Sequence, residues 1–392
     1  MEIAISRAGD RALTVAIQLD ENVLDPSNEI ALRVARIIAK HAHKMGKLST
    51  PLYPAWFRIL QEGQFKALEL VDLRVPGWPR AQSVLTAGQY LGGTLDLTSC
   101  TELKRVQLHG GLALNDGVAL SWKNVVEARF LGLPLERFAG VLEQVGHCEH
   151  LNLSGHYQNL PSPEAVAQSL PDLFALYQKQ VTLHLRKLSL GLIPLSAVER
   201  ILSLVHDGLE GLSIYGTHPY ARHEMDFIPL VRKLPRFAST LSDFTLECFS
   251  PKWIPLEEIL HSLPRLTCIH LSGDFFDETL IHRCFVTDGL LPTLQSLTLR
   301  IFEQHNKPIR VRLEHILDIL EYRRCSLKTA EIHLFWPNLS NHDKGSLDVR
   351  PTLLEMAEEG RKITVVMSRV YGGPSFDLLK HNESDWERLV SG

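Results

Sequence analysis

The chain has 392 residues, of which 45% are hydrophobic and 22% charged, so it has ample apolar material for a large core. Its net charge of -4 lacks the basic footprint that binds nucleic acid or an anionic membrane surface, and neither is an expected partner. No signal peptide or membrane-spanning apolar run is visible, and the six scattered cysteines contain no C-x-x-C pair. We expect a cytoplasmic or nuclear protein with reduced thiols.

The first 60 residues predict an amino-terminal cap. Apolar and polar residues alternate over residues 13–19, which predicts a strand. A helix is predicted over residues 26–45, with Asp25 as its cap, Pro26 at its first position and Gly46 after its end. Residues 1–60 are therefore expected to form one strand and one helix that the next segment covers.

A six-residue frame, L-x-x-L-x-L, repeats along the rest of the chain. Apolar residues occupy all three of its defining positions in ten copies, which begin at Phe65, Leu103, Val125, Cys148, Leu185, Leu209, Leu241, Leu266, Leu294 and Leu327. The copies recur on average about every 29 residues, at the long end of the leucine-rich-repeat range.

The intervening positions of the frame test whether the alternation is real. Only Ala67, Val126 and Cys268 are apolar there, whereas the overall composition would place about a dozen apolar residues at these positions. Each frame is therefore predicted to be a strand with one buried face and one solvated face.

Helices are predicted between the frames from apolar residues at three- and four-residue spacing. They cover residues 134–144, 194–204, 255–263, 312–322 and 351–359. Three of them open with Pro-Leu, at Pro134, Pro194 and Pro255, and proline suits the first helical position because it needs no intrahelical hydrogen bond there.

Alternating strands and helices at this period predict an α/β fold, a leucine-rich-repeat solenoid of about ten irregular repeats. The expected layers are a parallel concave sheet and convex helices. Residues 61–372 are assigned to the solenoid, whose last strand covers residues 363–367, and residues 373–392 to a polar carboxyl-terminal tail.

The polar positions of the frame predict a partner-binding patch on the concave face. Its predicted members are Arg105, Glu127, Arg129, His150, Tyr215, Glu247, His270, Arg300 and His333. Both signs of charge are interleaved, which suits a polypeptide better than a phosphate backbone. Each of these side chains could instead be a merely solvated residue.

Aromatic residues just after the later strands predict a second contact zone at the rim of the sheet. The residues are Tyr215, Tyr220, Phe249, Trp253, Phe275, Phe276, Phe335 and Trp336. Aromatic side chains beside charges on a rigid scaffold are typical of binding hot spots, although some of them are expected in the core.

Enzymatic function is the alternative to binding. The sequence contains no H-E-x-x-H, phosphate-loop, G-x-S-x-G or dinucleotide-binding pattern. The densest histidine and cysteine cluster is His147, Cys148 and His150, but Cys148 is a spine residue of its frame. We predict no catalytic residue, metal site or cofactor, and keep an unrecognised enzyme with a site on the concave face as the second hypothesis.

Several segments resemble basidiomycete F-box-like proteins with leucine-rich repeats. They are residues 6–10 (Ser-Arg-Ala-Gly-Asp) with the strand that follows, the helix ending near His41 and His43, a strand at residues 56–60, and residues 65–70, 120–126 and 148–153. The resemblance spans most of the chain and implies a substrate receptor of a ubiquitin ligase. Such proteins usually carry an F-box ahead of the Ser-Gly-Asp segment, where this sequence starts, so a Skp1-type adaptor is expected only if an F-box lies upstream.

Overall fold

The computed structural model describes residues 12–17, 29–75, 91–109, 112–114, 117–155, 163–216, 227–249, 254–303, 311–336, 349–369 and 375–381, with the backbone alone for residues 113, 114, 163–170, 336 and 369. The chain divides into two compact units, Met1–His206 and Asp207–Gly392. Among the described residues, none of the helices combines the length and apolar character needed to cross a bilayer.

Ten strands in two sheets lie within the described residues of the first unit. They are β1 (Leu13–Ala16), β2 (Met45–Pro51), β3 (Leu70–Arg74), β4 (Leu95–Leu97), β5 (Arg105–His109), β6 (Ala113–Leu114), β7 (Gly117–Leu120), β8 (Glu127–Leu131), β9 (His150–Ser154) and β10 (Lys187–Gly191). The main sheet has the order β1-β2-β3-β5-β8-β9-β10 and is parallel throughout. The unpredicted small sheet has the order β4-β7-β6.

The helices of the first unit connect these strands. They are α1 (Glu29–Lys40), α2 (Pro54–Leu60), α3 (Phe138–Gln144), α4 (Pro163–Gln178) and α5 (Leu195–Leu204), with short 3-10 turns at Ala42–Lys44 and Leu135–Arg137.

The second unit repeats the same alternation. Its strands are β11 (Gly211–Tyr215), β12 (Asp243–Cys248), β13 (Cys268–Gly273), β14 (Ser296–Phe302), β15 (Thr329–Trp336), β16 (Lys362–Arg369) and β17 (Phe376–Asp377). Its helices are α6 (Ile228–Lys233), α7 (Leu256–His261), α8 (Glu278–Phe285), α9 (Leu313–Tyr322) and α10 (Arg350–Glu358), with a 3-10 turn at Leu234–Phe237. Strands β11 to β16 pair in parallel, and β17 pairs antiparallel with β16.

The apolar spine of the frames is the core of both units. In nine of the ten frames the strand begins two residues after the first apolar position, and the three spine residues are at most 5% exposed. Consecutive strands pair with these residues in register, as Phe244 with Ile269 and Ile269 with Leu297 show. The predicted α/β leucine-rich-repeat solenoid is confirmed.

The first frame is wrong by three residues. Strand β3 buries Val71 and Leu73, whereas Leu70 pairs with Arg105 at a position that faces away from the core. The apolar spacing fits the frame both from Phe65 and from Leu68, and only cross-strand pairing decides between the two. The frame therefore starts at Leu68, and Phe65 packs in the preceding turn.

The amino-terminal segment differs from its prediction in two elements. Helix α1 ends at Lys40 instead of Met45, and Met45–Pro51 is a strand that pairs with both β1 and β3. Residues 56–60, expected to be a strand, form most of helix α2, where Trp56, Phe57 and Leu60 are buried on one side at helical spacing. Asp25 and Pro26 lie outside the described residues.

The five helices predicted between the frames are all present, but the first prolines of three of them stand one position earlier than expected. Pro134 and Pro194 precede the helices as N-cap residues with extended ψ angles of 142° and 143°, and Pro255 is also an N-cap residue. The proline ring still presets φ where the chain turns into the helix.

The carboxyl-terminal segment begins with packed residues. The predicted strand at residues 363–367 lies inside β16. Phe376, Asp377 and Leu378 are at most 7% exposed because β17 covers the edge of β16, so the start of the expected tail belongs to the core. Residues 382–392 lie outside the described residues.

Candidate binding surface

Each main sheet presents one face whose side chains are mostly half-buried or exposed, with a few buried polar residues such as Asp72 and Ser272, and we call it the open face. It consists of the residues that alternate with the buried spine, such as Asp243, Thr245 and Glu247 in β12. Register places such residues side by side on neighbouring strands, roughly 5 Å apart, so they form continuous rows.

On the open face of the first unit, Asp72 is the centre of a polar network. Ser49 Oγ donates to Asp72 Oδ2 at 2.7 Å, and Arg74 Nη2 donates to the same oxygen at 3.1 Å. His109 Nε2 lies 3.3 Å from Asp72 Oδ1, and Gln107 Nε2 lies 2.6 Å from His109 Nε2. Burial opposes ionisation of Asp72, but the hydrogen bonds from His109, Arg74 and Ser49 outweigh it and hold the pKa of the carboxyl well below its usual range. The misplaced first frame concealed this network, because Asp72 is an open-face residue only when the frame starts at Leu68.

Two arginines of the same face share one carboxylate. Arg129 donates from Nε to Glu127 Oε1 at 2.7 Å and its Nη2 lies 2.6 Å from the same oxygen, whereas Arg105 Nε stays 3.6 Å from Glu127 Oε2. With Leu70, Val71, Val106 and Gln107, these residues line a shallow depression of about 190 Å³.

On the open face of the second unit, charged and imidazole side chains from β12 to β15 lie together. Glu247, Ser272, Arg300 and His333 occupy one row, and His270 and Glu331 occupy the next. His333 Nε2 lies 2.8 Å from Glu331 Oε1. We call Glu247, His270, Arg300, Glu331 and His333 the polar ladder.

Burial changes the acid-base behaviour of two members of the polar ladder. It raises the pKa of Glu247, although the charge of Arg300 opposes this shift. It lowers the pKa of His270, and Arg300 acts in the same direction. Both groups are therefore less readily charged than they would be in water.

An aromatic cluster borders the polar ladder at the carboxyl ends of the strands. The rings of Phe302 and Phe335 stack with centroids 4.3 Å apart and an interplanar angle of 4°, and Phe249 meets Phe302 edge-on at 5.1 Å. All three side chains are half-buried. Sequence reasoning named Phe249 and Phe335 and missed Phe302, although the alternation of β14 continues to that residue.

The open faces contain nine of the predicted contact residues. Arg105, Glu127, Arg129 and His150 lie on the first unit, and Tyr215, Glu247, His270, Arg300 and His333 lie on the second. Phe275 is half-buried in the loop after β13. Trp253 and Tyr220 lie outside the described residues, and only the backbone of Trp336 is described, in β15.

The prediction that Phe276 belongs to the contact zone at the rim is wrong. Its side chain is 2% exposed, so it belongs to the core and is not a rim contact. Phe275 stacks on it with centroids 4.3 Å apart. Only one of the two stacked rings is fully buried, and nothing in the sequence indicates which of them it is.

Metal ligands, hydroxyl groups and thiols of the described residues bear on the enzymatic alternative. No group of three or more His, Cys, Asp or Glu side chains among them is placed to hold a metal ion. The Ser49 hydroxyl donates to one oxygen of the Asp72 carboxyl group, and the imidazole of His109 lies against the other oxygen of that group. Cys148 is buried in the spine as predicted, and burial raises the pKa of its thiol to about 12, so the thiol stays protonated.

Comparisons with known proteins do not assign the chain to a family. No family model matches the chain, and no curated protein matches it. Among solved structures, a leucine-rich-repeat protein of Leptospira interrogans is similar at 13% identity and a TM-score of 0.34, over 94% of this chain and 80% of that one. The fold assignment therefore depends on the strand register and the buried spine described above.

Proposed function

We propose that the chain is a non-enzymatic protein-binding scaffold and that its contact surface includes the polar ladder and aromatic cluster of the second unit. The observation that carries the proposal is the stack of Phe302 on Phe335, with Phe249 against it, beside half-buried charges on the open face of a parallel sheet.

Each part of this surface suits a polypeptide partner. Aromatic rings offer a large apolar area at small entropic cost, and such residues dominate the energy of protein interfaces. The adjoining carboxylates, guanidinium and imidazoles can pair with the polar side chains and backbone that flank an apolar anchor. Parallel strands held in register keep these groups at constant spacing before a partner arrives, which lowers the entropic cost of binding.

The proposal is tested with a partner isolated by affinity capture and then purified. The triple variant F249A/F302A/F335A is compared with wild type by calorimetric titration. The matched control is F174A/Y177A, which removes a stacked and exposed aromatic pair from helix α4. We expect the dissociation constant to rise about 30-fold or more in the triple variant, because such a loss of affinity is typical when a binding hot spot is removed. The dissociation constant of the control variant should stay unchanged.

Folding of both variants is checked by thermal unfolding. Equal affinity of the triple variant and the wild type, with folding intact, would show that the aromatic cluster is not the contact surface.

We also propose a pathway, from the resemblance of residues 6–10 and the later segments to basidiomycete F-box-like proteins. In this hypothesis the repeats select substrates for a cytoplasmic or nuclear ubiquitin ligase, and an F-box upstream of Met1 binds a Skp1-type adaptor. Two experiments test this ligase hypothesis directly. The 5′ end of the transcript is sequenced, and the protein extended upstream of Met1 is tested for co-purification with the adaptor. An in-frame stop ahead of Met1 would reject the ligase role and leave the scaffold proposal intact.

A further inference from the structure

The open face of the first unit is strongly cationic, in contrast to the chain as a whole. Of the described residues that face outward on its main strands, the charged ones are Lys47, Arg74, Arg105, Arg129 and Lys187 against Asp72 and Glu127. The corresponding rows of the second unit carry Arg300 and Lys362 against Asp243, Glu247 and Glu331. Because the full sequence has a net charge of -4, this positive excess is a local property of one face.

The depression on this face has the shape and donors of a carboxylate site. The half-buried Leu70 gives it an apolar lining, whereas Val71 and Val106 beside it are buried in the core, and two guanidinium groups stand at its wall. Arg105 is 64% exposed and lies beyond hydrogen-bond distance from Glu127, so its donors can receive a carboxylate from outside. At about 190 Å³ the depression is smaller than pockets for cofactors or drug-sized ligands, and it suits a single side chain.

We propose that this depression receives a Glu or Asp side chain of an acidic polypeptide segment, seated between Arg105 and Arg129. The inference rests on the proposed protein-binding function and adds the chemical class of the bound segment. The methylene groups of the incoming side chain contact Leu70, and its carboxylate replaces Glu127 as the partner of the arginines. Charge-assisted hydrogen bonds from guanidinium to carboxylate supply the specificity.

A nucleic acid fits this face less well. A phosphate chain would meet the carboxylates of Asp72 and Glu127, which lie among the cationic residues and repel it. An acidic peptide can place one carboxylate at the depression and uncharged residues opposite these two groups.

The test uses the full chain and three labelled peptides of equal length that carry Glu, Gln or Lys at alternate positions, with binding followed by fluorescence anisotropy. We expect the Glu peptide to bind more tightly than the other two. The variant R105Q/R129Q should weaken its binding about tenfold or more, as expected for loss of charge-assisted hydrogen bonds. The control R33Q/K66Q removes the same charge from helix α1 and from the turn before β3, where both side chains are exposed, and should bind like wild type.

Glu127→Gln tests whether an incoming carboxylate takes the place of Glu127. Because the side chain of Glu127 competes for the two arginines, its neutralisation should tighten binding of the Glu peptide severalfold. Unchanged or weaker binding of that variant would overturn the proposal. So would equal binding of the Glu and Gln peptides, an equal loss in R33Q/K66Q, or tighter binding of oligouridylate than of the Glu peptide.

These outcomes are independent of the scaffold test. If F249A/F302A/F335A loses the purified partner while wild type binds no Glu peptide, the acidic-segment inference fails and the scaffold proposal stands. If the Glu peptide binds as expected and the triple variant keeps full affinity for the partner, the acidic-segment inference stands and the proposal that the aromatic cluster is a contact surface fails.

Discussion

The buried guanidinium of Arg323 donates from Nε to the carbonyl oxygen of Phe285 at 2.9 Å. Phe285 is the last residue of helix α8, and its carbonyl has no partner within the helix. The same side chain donates from Nη1 to Leu291 O at 3.0 Å and from Nη2 to Leu290 O at 2.6 Å. One arginine therefore holds the helix end and the following turn of the preceding repeat.

Arg323→Gln should lower the free energy of unfolding by about 3 kcal/mol, because buried carbonyls lose charged donors. Arg324 is the matched control. Arg324 follows Arg323 in the sequence and pairs at the surface with Glu355 and Glu359. Arg324→Gln should therefore lower the free energy of unfolding by less than about 1 kcal/mol. Both changes in the free energy of unfolding are measured by urea denaturation monitored by circular dichroism. Equal effects of the two substitutions would contradict the role of Arg323.

Gly273 allows a close approach between strands. A Cβ atom there would overlap the carbonyl oxygen of Cys248 on β12 and the ring of Phe275. Gly273→Ala should therefore lower the free energy of unfolding by about 2 kcal/mol or more. Gly140 in helix α3 has open space around it, and Gly140→Ala should raise stability by about 0.5–1 kcal/mol because alanine is the better helix former. Melting temperatures shifted in the same direction by both substitutions would refute this pair of predictions.

Phe275 and Phe276 should differ sharply when truncated. Phe276→Ala removes a side chain that is 2% exposed and should reduce stability by about 3–5 kcal/mol, as expected for a core aromatic residue. Phe275→Ala removes a half-buried ring stacked on it and should reduce stability by about 1 kcal/mol. Guanidinium unfolding of the two single variants provides the comparison, and a smaller loss for Phe276→Ala would disprove the assigned orientation.

His270 should make stability depend on pH. Burial lowers its pKa in the folded state, with Arg300 and His333 acting in the same direction and Glu331 and Asp243 opposing them. The unfolded chain, with an imidazole pKa near 6.5, binds the proton more readily, so this contribution to stability is present above that pH and is lost as the pH falls below it.

The free energy of unfolding should therefore fall less steeply in His270→Gln than in wild type between about pH 7.5 and about pH 5.5. Parallel curves for His270→Gln and wild type would exclude His270 as a source of the pH dependence.

Sequence reasoning was most successful where a pattern is local. The spine residues of nine frames are buried because alternation with a period of two selects one face of a strand, whichever strand lies beside it. Predicted and observed helices agree to within one or two residues at most ends for the same reason. The first frame failed because two apolar registers were available three residues apart. Helix α2 was missed because its few apolar residues also suit a short strand.

The strand pairing decides which residues lie next to each other on the candidate surface. From the sequence alone one can determine that a parallel sheet with polar positions exists and which residues occupy those positions, because these are consequences of local periodicity. Only the tertiary structure places Phe249, Phe302 and Phe335 in one cluster, joins Ser49, Asp72 and His109 into one network, and turns Phe276 inward. These residues are neighbours across strands separated by many residues of sequence, so strand register and packing decide their contacts.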